Sequence, residues 1–186
     1  LVERSGYYGS LLGIGIGNMF SSTGIEKATL AEGATCIGSY AFDRAFSDET
    51  CPTHVVIPNS VTNISEYAFF RCVGLKSVTI PENVVSIGRR AFNDCWNLTE
   101  VTIPNSVTNI GDGAFHYCSR LESVTVPACM LETGLGSVFP GISSITNVVV
   151  SEGVQSIPRG AFGSSGSFPK LEHVFIPGSV TNINVE

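Results

Sequence analysis

Cysteines are the residues of this 186-residue chain whose type and spacing first suggest chemistry. Three of the six, Cys72, Cys95 and Cys118, follow one another at intervals of 23 residues. A zinc site needs ligands that converge as a tetrahedron, whereas ligands at a regular interval are spread along a line. Unpaired cysteine is among the most frequently buried residue types. We therefore predict a buried column of small apolar side chains at these positions.

The other cysteines, Cys36, Cys51 and Cys129, do not follow this interval. Cysteines on neighbouring repeats can come within disulfide range, but side chains that point in the same direction seldom reach the dihedral angle that the bond requires. A disulfide between Cys51 and Cys72 stays open as an alternative for an oxidising compartment, because pairing cannot be deduced from a sequence.

Three histidines, His54, His116 and His173, are the other groups that could take part in catalysis. His116 lies two residues before Cys118, and a histidine beside a cysteine can activate it as a nucleophile. Within a single turn, however, we expect Cys118 to point inward and His116 to point outward. The sequence offers no third group that would orient the histidine and no oxyanion hole. The pair therefore does not predict a nucleophilic site.

Two glycine-rich stretches, 13–17 and 134–136, lack the spacing of a phosphate-binding loop and the Lys-Ser/Thr pair that follows it. With the cysteine and histidine patterns, this predicts no catalytic residues, no cofactor and no metal site. We therefore predict that the protein is not an enzyme.

Composition and charge narrow the classes of partner. Hydrophobic residues make up 43% of the chain and charged residues 14%, so the chain can bury a core. The formal net charge of −6 argues against a nucleic-acid partner, which would require a basic surface. No apolar run approaches the roughly 20 residues that span a bilayer, so we expect no membrane insertion.

Internal repetition organises the whole chain. The block Val101–Ser123 overlays the block Val78–Glu100 with Pro on Pro, Ile on Ile, Ala-Phe on Ala-Phe and Cys on Cys, a period of 23 residues. Such a period is typical of a solenoid, in which each copy buries its apolar face against its neighbours. About seven copies are predicted, and they begin at Ala28, Val55, Val78, Val101, Val124, Val148 and Val174, the last one truncated.

The two flanks of the array are less regular. Residues 1–27 are predicted to form an N-terminal cap or a degenerate repeat. The fifth copy, 124–147, departs most from the pattern, and we expect a bend or a local weakness there. The chain starts at Leu1 and its last copy ends after the first half, so we expect a fragment of a longer protein.

Within a copy, alternation of apolar residues with Thr predicts a short half-buried strand, as at Val101 to Ile103, which the following proline ends. A second extended stretch, Val107–Ile110, precedes Gly111, which we expect to make a turn, and then a helical or irregular turn around Ala114 to Cys118. Successive strands are predicted to be parallel. Equivalent phenylalanines should form one buried column, comprising Phe42, Phe69, Phe92, Phe115, Phe139 and Phe162.

The succession Leu-x-x-Val-Thr-Ile-Pro, Val-Thr-x-Ile-Gly and Ala-Phe-x-x-Cys resembles the BspA-like, or Treponema pallidum type, leucine-rich repeats over about residues 25–186. The resemblance implies a right-handed leucine-rich-repeat solenoid with a parallel sheet on its concave side and short turns on its convex side. It also implies a surface-exposed or secreted protein associated with adhesion and protein binding, with no catalytic residues in the repeat.

Outward positions on the predicted concave sheet are the candidate binding residues. Thr and Ser in the middle copies can be explained by solvation and strand propensity alone. Towards the C-terminal end, apolar and aromatic residues replace them, as binding anchors do. The candidate face comprises Lys76, Thr79, Glu100, Thr102, Glu122, Thr125, Asn147, Val149, His173 and Phe175.

These observations predict a non-enzymatic extracellular or cell-surface binding module that recognises a protein or a glycan, such as one of a host or of the extracellular matrix. Two alternatives stay open. The segment could be an architectural spacer that self-associates through its C-terminal end, where Ile176, Val180 and Ile183 have no following copy to cover them. It could also be the recognition arm of an enzyme whose catalytic domain lies outside this segment.

Overall fold

A computed structural model of the chain describes residues 27–29, 33–44, 53–163 and 167–184. Most of the predicted N-terminal cap lies outside the described residues, and the boundary at residue 27 stays a prediction. Cys51 also lies outside them, so its pairing with Cys72 stays an open alternative.

Two short strands recur in nearly every coil. In chain order, the elements are β1 (Lys27–Thr29), β2 (Cys36–Ile37), β3 (His54–Val56), β4 (Asn63–Ile64), β5 (Ser77–Thr79), β6 (Ser86–Ile87), β7 (Glu100–Thr102), β8 (Asn109–Ile110), β9 (Ser123–Val126), α1 (Ala128–Thr133), α2 (Leu135–Val138), β10 (Asn147–Val150), β11 (Ser156–Ile157), β12 (His173–Phe175) and β13 (Asn182–Ile183).

The first strands of the coils form the concave sheet. They pair in the orders β1-β3-β5 and β7-β9-β10-β12, and every pairing among the described strands is parallel. The second strands form another parallel ladder, in the orders β2-β4-β6-β8 and β11-β13. The predicted leucine-rich-repeat solenoid, with its parallel concave sheet and convex turns, is confirmed.

Alternation along each strand sets which side chains are buried. In β5, for example, Val78 is buried whereas Ser77 is half-buried and Thr79 is exposed. Because paired strands are in register, one buried valine lies beside the next, as Val124 lies beside Val148. The isoleucines of the second strands stack in the same way. The two short strands of each coil therefore contribute to two continuous rows of buried side chains that line the core.

The predicted phenylalanine column is confirmed over five coils. The rings of Phe42, Phe69, Phe92 and Phe115 are parallel within 4°, with centroids 4.8–5.0 Å apart, and Phe139 continues the stack at 5.4 Å with a tilt of 31°. Phe162 departs from the prediction because it is only half-buried. Among the described residues, no further Ala-Phe turn follows to cover its ring.

The fifth copy is the one that changes its secondary structure. Helices α1 and α2 replace the second strand, so the second ladder is interrupted between β8 and β11. The helices bury Met130, Leu131, Leu135 and Val138, and the N–H of Leu135 donates to the Ala161 carbonyl at 2.8 Å. The helices therefore bury the apolar side chains of this copy, and its expected bend or local weakness stays a prediction.

Gly111 begins a turn, as predicted, because the Ala114 N–H donates to the Gly111 carbonyl at 3.1 Å. The left-handed residues that follow are Gly113 at φ 62° and Tyr117 at φ 57°, and Gly111 has a second role in coil packing. A Cβ atom on Gly111 would lie 2.4 Å from the backbone nitrogen of Arg89 in the preceding coil. Gly88 has the same constraint, with a Cβ atom 2.5 Å from the Glu66 nitrogen. These glycines therefore permit close approach of neighbouring coils.

Candidate functional site

The register of the concave sheet brings the predicted site residues into continuous rows. One row runs through Thr102, Thr125, Val149 and Phe175, which are Cα partners on successive strands. The adjacent row runs through Glu100, Ser123, Asn147 and His173. Lys76 and Glu122 directly precede the strands β5 and β9, and Thr79 ends β5.

All ten candidate side chains reach the surface. Seven are exposed, namely Lys76, Thr79, Glu100, Thr102, Glu122, His173 and Phe175, and three are half-buried, namely Thr125, Asn147 and Val149. Phe175 is 59% exposed, the largest value among the bulky apolar residues described. The outward positions therefore form one extended face, and its binding role stays a prediction.

A shallow depression of about 320 Å³ lies on this face between β5 and β7. These two described strands have no ladder pairing, although the Thr99 N–H still donates to the Lys76 carbonyl at 3.2 Å. The polar side chains that line the depression are His54, Ser77, Thr79, Glu100 and Thr102. The sequence analysis did not predict this opening, because the repeat pattern continues through it unchanged.

The depression contains serine, histidine and carboxylate groups, but their order does not suit nucleophilic catalysis. His54 Nδ1 forms a hydrogen bond with Ser77 Oγ. Glu100 lies in the coil beyond Ser77, on the side away from His54. A catalytic carboxylate must orient the histidine, so it would have to lie on the other side of the imidazole. The arrangement suits hydrogen bonding to a ligand.

Acidic groups prevail on the concave face. Glu100, Glu122 and Glu172 are exposed in these rows, and the lysines of the rows are Lys76 and, in β1, Lys27. His173 lies 4.0 Å from the Glu172 carboxylate at the exposed end of the sheet. The face therefore favours neutral or basic ligand groups over anionic ones.

The cysteine column is buried, as the 23-residue interval predicted. Cys72, Cys95 and Cys118 donate their thiol hydrogens to phenylalanine carbonyls of the preceding coils, at 3.0, 3.3 and 3.3 Å. Burial raises the pKa of the Cys118 thiol well above its usual value, so this thiol stays protonated. The column acts as core packing with satisfied hydrogen bonds.

Neither a metal centre nor a membrane span emerges from the described parts of the chain. Within them, no three His, Cys, Asp or Glu side chains come together to hold a metal ion. The described helices are also too short and too polar to cross a bilayer.

The structure also shows a polar and aromatic group on the convex turns that the sequence analysis missed. We call it the Trp96 cluster, and its members are Arg71, Asn93, Asp94, Trp96, His116 and Tyr117. Trp96 and Tyr117 are 53% and 51% exposed. The available signal was a departure from the repeat, since the positions equivalent to Trp96 hold Val73 and Ser119.

His116 belongs to this cluster and not to a Cys-His pair. Its Nδ1 forms a 2.9 Å hydrogen bond with Asn93 Oδ1, and its ring stacks on Tyr117 at a centroid distance of 3.9 Å. Cys118 points into the core, as expected. The imidazole and the thiol therefore face opposite sides of the turn.

We expect His116 to titrate below the usual imidazole pKa of 6.5. Partial burial lowers its pKa first, the Arg90 guanidinium lowers it further, and the Asp94 carboxylate acts in the opposite direction. Because the folded pKa lies below the unfolded one, the stability contributed by neutral His116 is present above pH 6.5 and is lost as the pH falls from that value through the lower pKa of the folded state.

An NMR titration of the imidazole protons checks this expectation. Arg90→Gln should raise the pKa of His116, and Asp94→Asn should lower it further. A pKa at or above 6.5 in the unmodified chain would contradict the assigned environment.

Comparison with known proteins is consistent with this architecture. The family model of the BspA type leucine-rich repeat region matches residues 43–168 and 131–186, with six copies. A search of curated protein sequences found no match.

Several solved structures are similar. A leucine-rich repeat protein from Bacteroides ovatus is 28% identical with a TM-score of 0.59, over 86% of this chain and 39% of its own. The Treponema pallidum leucine-rich repeat protein TpLRR is 23% identical with a TM-score of 0.61, over 85% of this chain and 73% of its own. The pneumococcal vaccine antigen PcpA is 18% identical with a TM-score of 0.61, over 87% of this chain and 36% of its own.

The chain thus spans well under half the length of the Bacteroides and pneumococcal proteins. The two matches under 25% identity establish the fold alone. The family model, however, covers more than half of this chain, and the matched residues include strands β3 to β13. The chain belongs to the BspA-type leucine-rich repeat family.

Proposed function

We propose that this chain is a non-enzymatic binding module that acts outside the cell or on its surface and recognises a protein or a glycan through its concave sheet. The observation that carries the proposal is the continuous outward row that ends in the exposed Phe175. Contact of this aromatic ring with a ligand would remove apolar surface from water, and the ring is held on a rigid strand.

The acidic depression between β5 and β7 is a second feature that supports a binding role for the concave face. Hydroxyl, imidazole and carboxylate groups converge there around a volume of about 320 Å³. These groups can orient a ligand by hydrogen bonds, while Phe175 provides apolar contact at the other end of the sheet. Both regions are held by stacked coils of one solenoid, which limits the entropy lost on binding.

The test is binding of the purified chain to a panel of extracellular-matrix proteins and glycans. The triple variant Lys76→Ala, Glu100→Ala, Phe175→Ala should lose about tenfold or more in affinity, equivalent to about 1.4 kcal/mol. A matched control, Glu82→Ala, Val85→Ala, Arg159→Ala, changes three exposed residues away from these rows and should bind like the unmodified chain. Equal loss in both variants would refute the concave face as the binding surface.

A second candidate function is self-assembly through the C-terminal end of the stack. Val174, Ile176 and Ile183 are 38%, 40% and 47% exposed, whereas the equivalent residues Val148, Val150 and Ile157 are buried. Strands β12 and β13 are edge strands whose outer backbone groups can pair with another strand. A second copy of the chain would cover both features.

Sedimentation velocity tests this assembly. We expect concentration-dependent dimers at low micromolar protein, abolished by Ile176→Glu because the charge would be buried in the contact. Val85→Glu places the same charge on an exposed apolar residue elsewhere and should leave the dimers intact. A monomer at all concentrations would refute self-assembly.

A further inference from the structure

The Trp96 cluster contains the only tryptophan of the chain, and this side chain is more than half exposed. By contrast, the apolar strand and turn residues of the central coils, such as Leu98 and Phe115, are almost fully buried. Exposure of Trp96 and of the neighbouring Tyr117 therefore stands out against an otherwise well-buried apolar set.

Hydrogen bonds hold the indole ring in place. Asp94 Oδ1 accepts the Trp96 Nε1–H at 3.2 Å, and Asp94 Oδ2 accepts from Asn93 Nδ2 at 2.9 Å. The Arg71 Nε lies 3.7 Å from Asp94 Oδ2, which adds an ion pair from the preceding coil. A single carboxylate thus connects two coils and fixes the orientation of Trp96.

Tyr117 is held from two sides. Its ring stacks on His116, which in turn is hydrogen bonded to Asn93 at 2.9 Å. On the other side, a Cβ atom added to Gly141 would lie 2.9 Å from Tyr117 Cε1, so the ring packs directly on that glycine. Both exposed aromatic rings are therefore ordered before any ligand arrives, which lowers the entropy cost of contact.

The repeat fold does not require these aromatic residues. The coils on either side of Trp96 have Val73 and Ser119 at its position, and the two coils before Tyr117 have Asp94 and Arg71 at its position, yet they form the same turn. Exposed tryptophan, tyrosine and arginine are the residue types that contribute most to protein interfaces. Their combination at one place indicates contact with a partner.

Charge indicates the chemistry of that partner. Asp94 already accepts two hydrogen bonds and forms an ion pair with Arg71, whereas the three guanidinium groups around the cluster retain unused donors. Among the described residues, Arg71 contacts Asp94 through Nε alone, Arg90 donates one bond to Tyr67 Oη at 3.5 Å, and Arg120 donates one to Asn97 Oδ1 at 2.8 Å. The remaining N–H groups require acceptors, and carboxylates bind guanidinium groups most strongly.

Other carboxylates on these turns do not cancel this charge. Glu66 and Asp112 are at the start of their turns, in a row with Arg89 of the intervening coil. This row lies two residues before the Ala-Phe pair, whereas the members of the Trp96 cluster follow it. Arg71 of the cluster, with Arg90 and Arg120 beside it, provides three guanidinium groups around one carboxylate, Asp94, that is already occupied.

We propose that the Trp96 cluster is a second binding surface, on the convex side, for an acidic peptide segment of another protein. Carboxylates of the segment would pair with Arg71, Arg90 and Arg120, and its apolar side chains would pack on Trp96 and Tyr117. This surface is separate from the concave face, whose acidic rows favour the opposite charge.

Fluorescence of the single tryptophan provides a direct test. The probes are two pools of short synthetic peptides in which Phe and Leu alternate with Glu and Asp in one pool and with Lys in the other. We expect the acidic pool to change the Trp96 emission saturably, with an affinity that falls as salt is added, and the basic pool to have no effect. Absence of a saturable change with the acidic pool, or an equal change with the basic pool, would overturn the proposal.

Variants separate this surface from the fold and from the concave face. Arg71→Gln retains the fluorescent reporter and should weaken binding of the acidic pool about tenfold. Trp96→Ser introduces the residue type of the next coil, so it should fold normally and lose binding in calorimetry. Phe175→Ala should bind the acidic pool like the unmodified chain, whatever the outcome for the concave face.

Three further outcomes would also overturn the proposal. In the first, Arg71→Gln and Trp96→Ser bind the acidic pool as tightly as the unmodified chain does. In the second, Phe175→Ala no longer binds the acidic pool. In the third, neutral oligosaccharides change the Trp96 emission saturably and the acidic peptides do not. A change of emission with protein concentration alone would assign the cluster to contact between copies of this chain and would likewise overturn it.

Discussion

Replacing Phe92 with alanine is expected to lower the free energy of unfolding by about 3–5 kcal/mol. The ring is fully buried and lies between two others, 4.9 Å from the centroid of Phe69 and 5.0 Å from that of Phe115. Truncation therefore removes stacking contacts on both faces and leaves a cavity in the middle of the stack. Because each coil is stabilised only by its neighbours, the loss affects coils on both sides.

Urea denaturation followed by circular dichroism measures this effect. Phe175→Ala is the matched control, since it removes the same side chain from an exposed position and should change stability by about 0.5 kcal/mol or less. If the two substitutions proved equally destabilising, the inward and outward assignments of the two rings would be wrong.

Replacing Gly111 with alanine is expected to destabilise the chain by about 3 kcal/mol, although it adds a single methyl group. The new Cβ atom would lie 2.4 Å from the Arg89 nitrogen and 2.6 Å from the Arg89 Cα atom. Both are backbone atoms of the preceding coil, so no side-chain rotation can relieve the contact. The two coils would have to separate, which weakens the hydrogen bond from the Gly111 N–H to the Ile87 carbonyl, 2.9 Å long.

Gly178→Ala is the control for this substitution. No atom lies within 4 Å of the Cβ position at Gly178, so the same change of residue type should be nearly neutral. Thermal melting of the two variants side by side gives the comparison. A Gly111→Ala chain as stable as Gly178→Ala would show that the coils are less closely spaced than described here.

The two proposed surfaces differ in charge and in position within the coil. The concave rows contain three exposed glutamates and two lysines, Lys27 and Lys76, whereas the Trp96 cluster has arginines around an occupied aspartate. A single stack of coils can therefore present two ligand chemistries at once. Binding at one surface would leave the other accessible, because one is on the first strands and the other is on the turns.

Much of the fold could be predicted from the sequence because a repeat constrains every copy in the same way. The 23-residue period places Phe69, Phe92 and Phe115 at one point of the coil, and stacking rings are the result. The same reasoning predicted the buried cysteines and the outward row of Thr102, Thr125 and Val149.

The 23-residue period could not predict how individual copies depart from the repeat. Residues 128–138 read as a degraded copy, but their apolar side chains are spaced so that two short helices bury them against the neighbouring coils. The sequence predicted Gly111 as a turn residue, which it is, but not its second role, which depends on the distance to Arg89 in another coil. Local pattern carries no information on such distances.

The sequence by itself determined the parallel stack, its inward columns and its outward rows, because identical spacing puts equivalent residues one above another. Only the tertiary structure decided where unlike residues of neighbouring coils meet. The opening between β5 and β7 and the network around Asp94 both arise from contacts across coils. Their chemistry depends on distances between side chains of different coils, which the repeat pattern leaves free and which only the packed coils define.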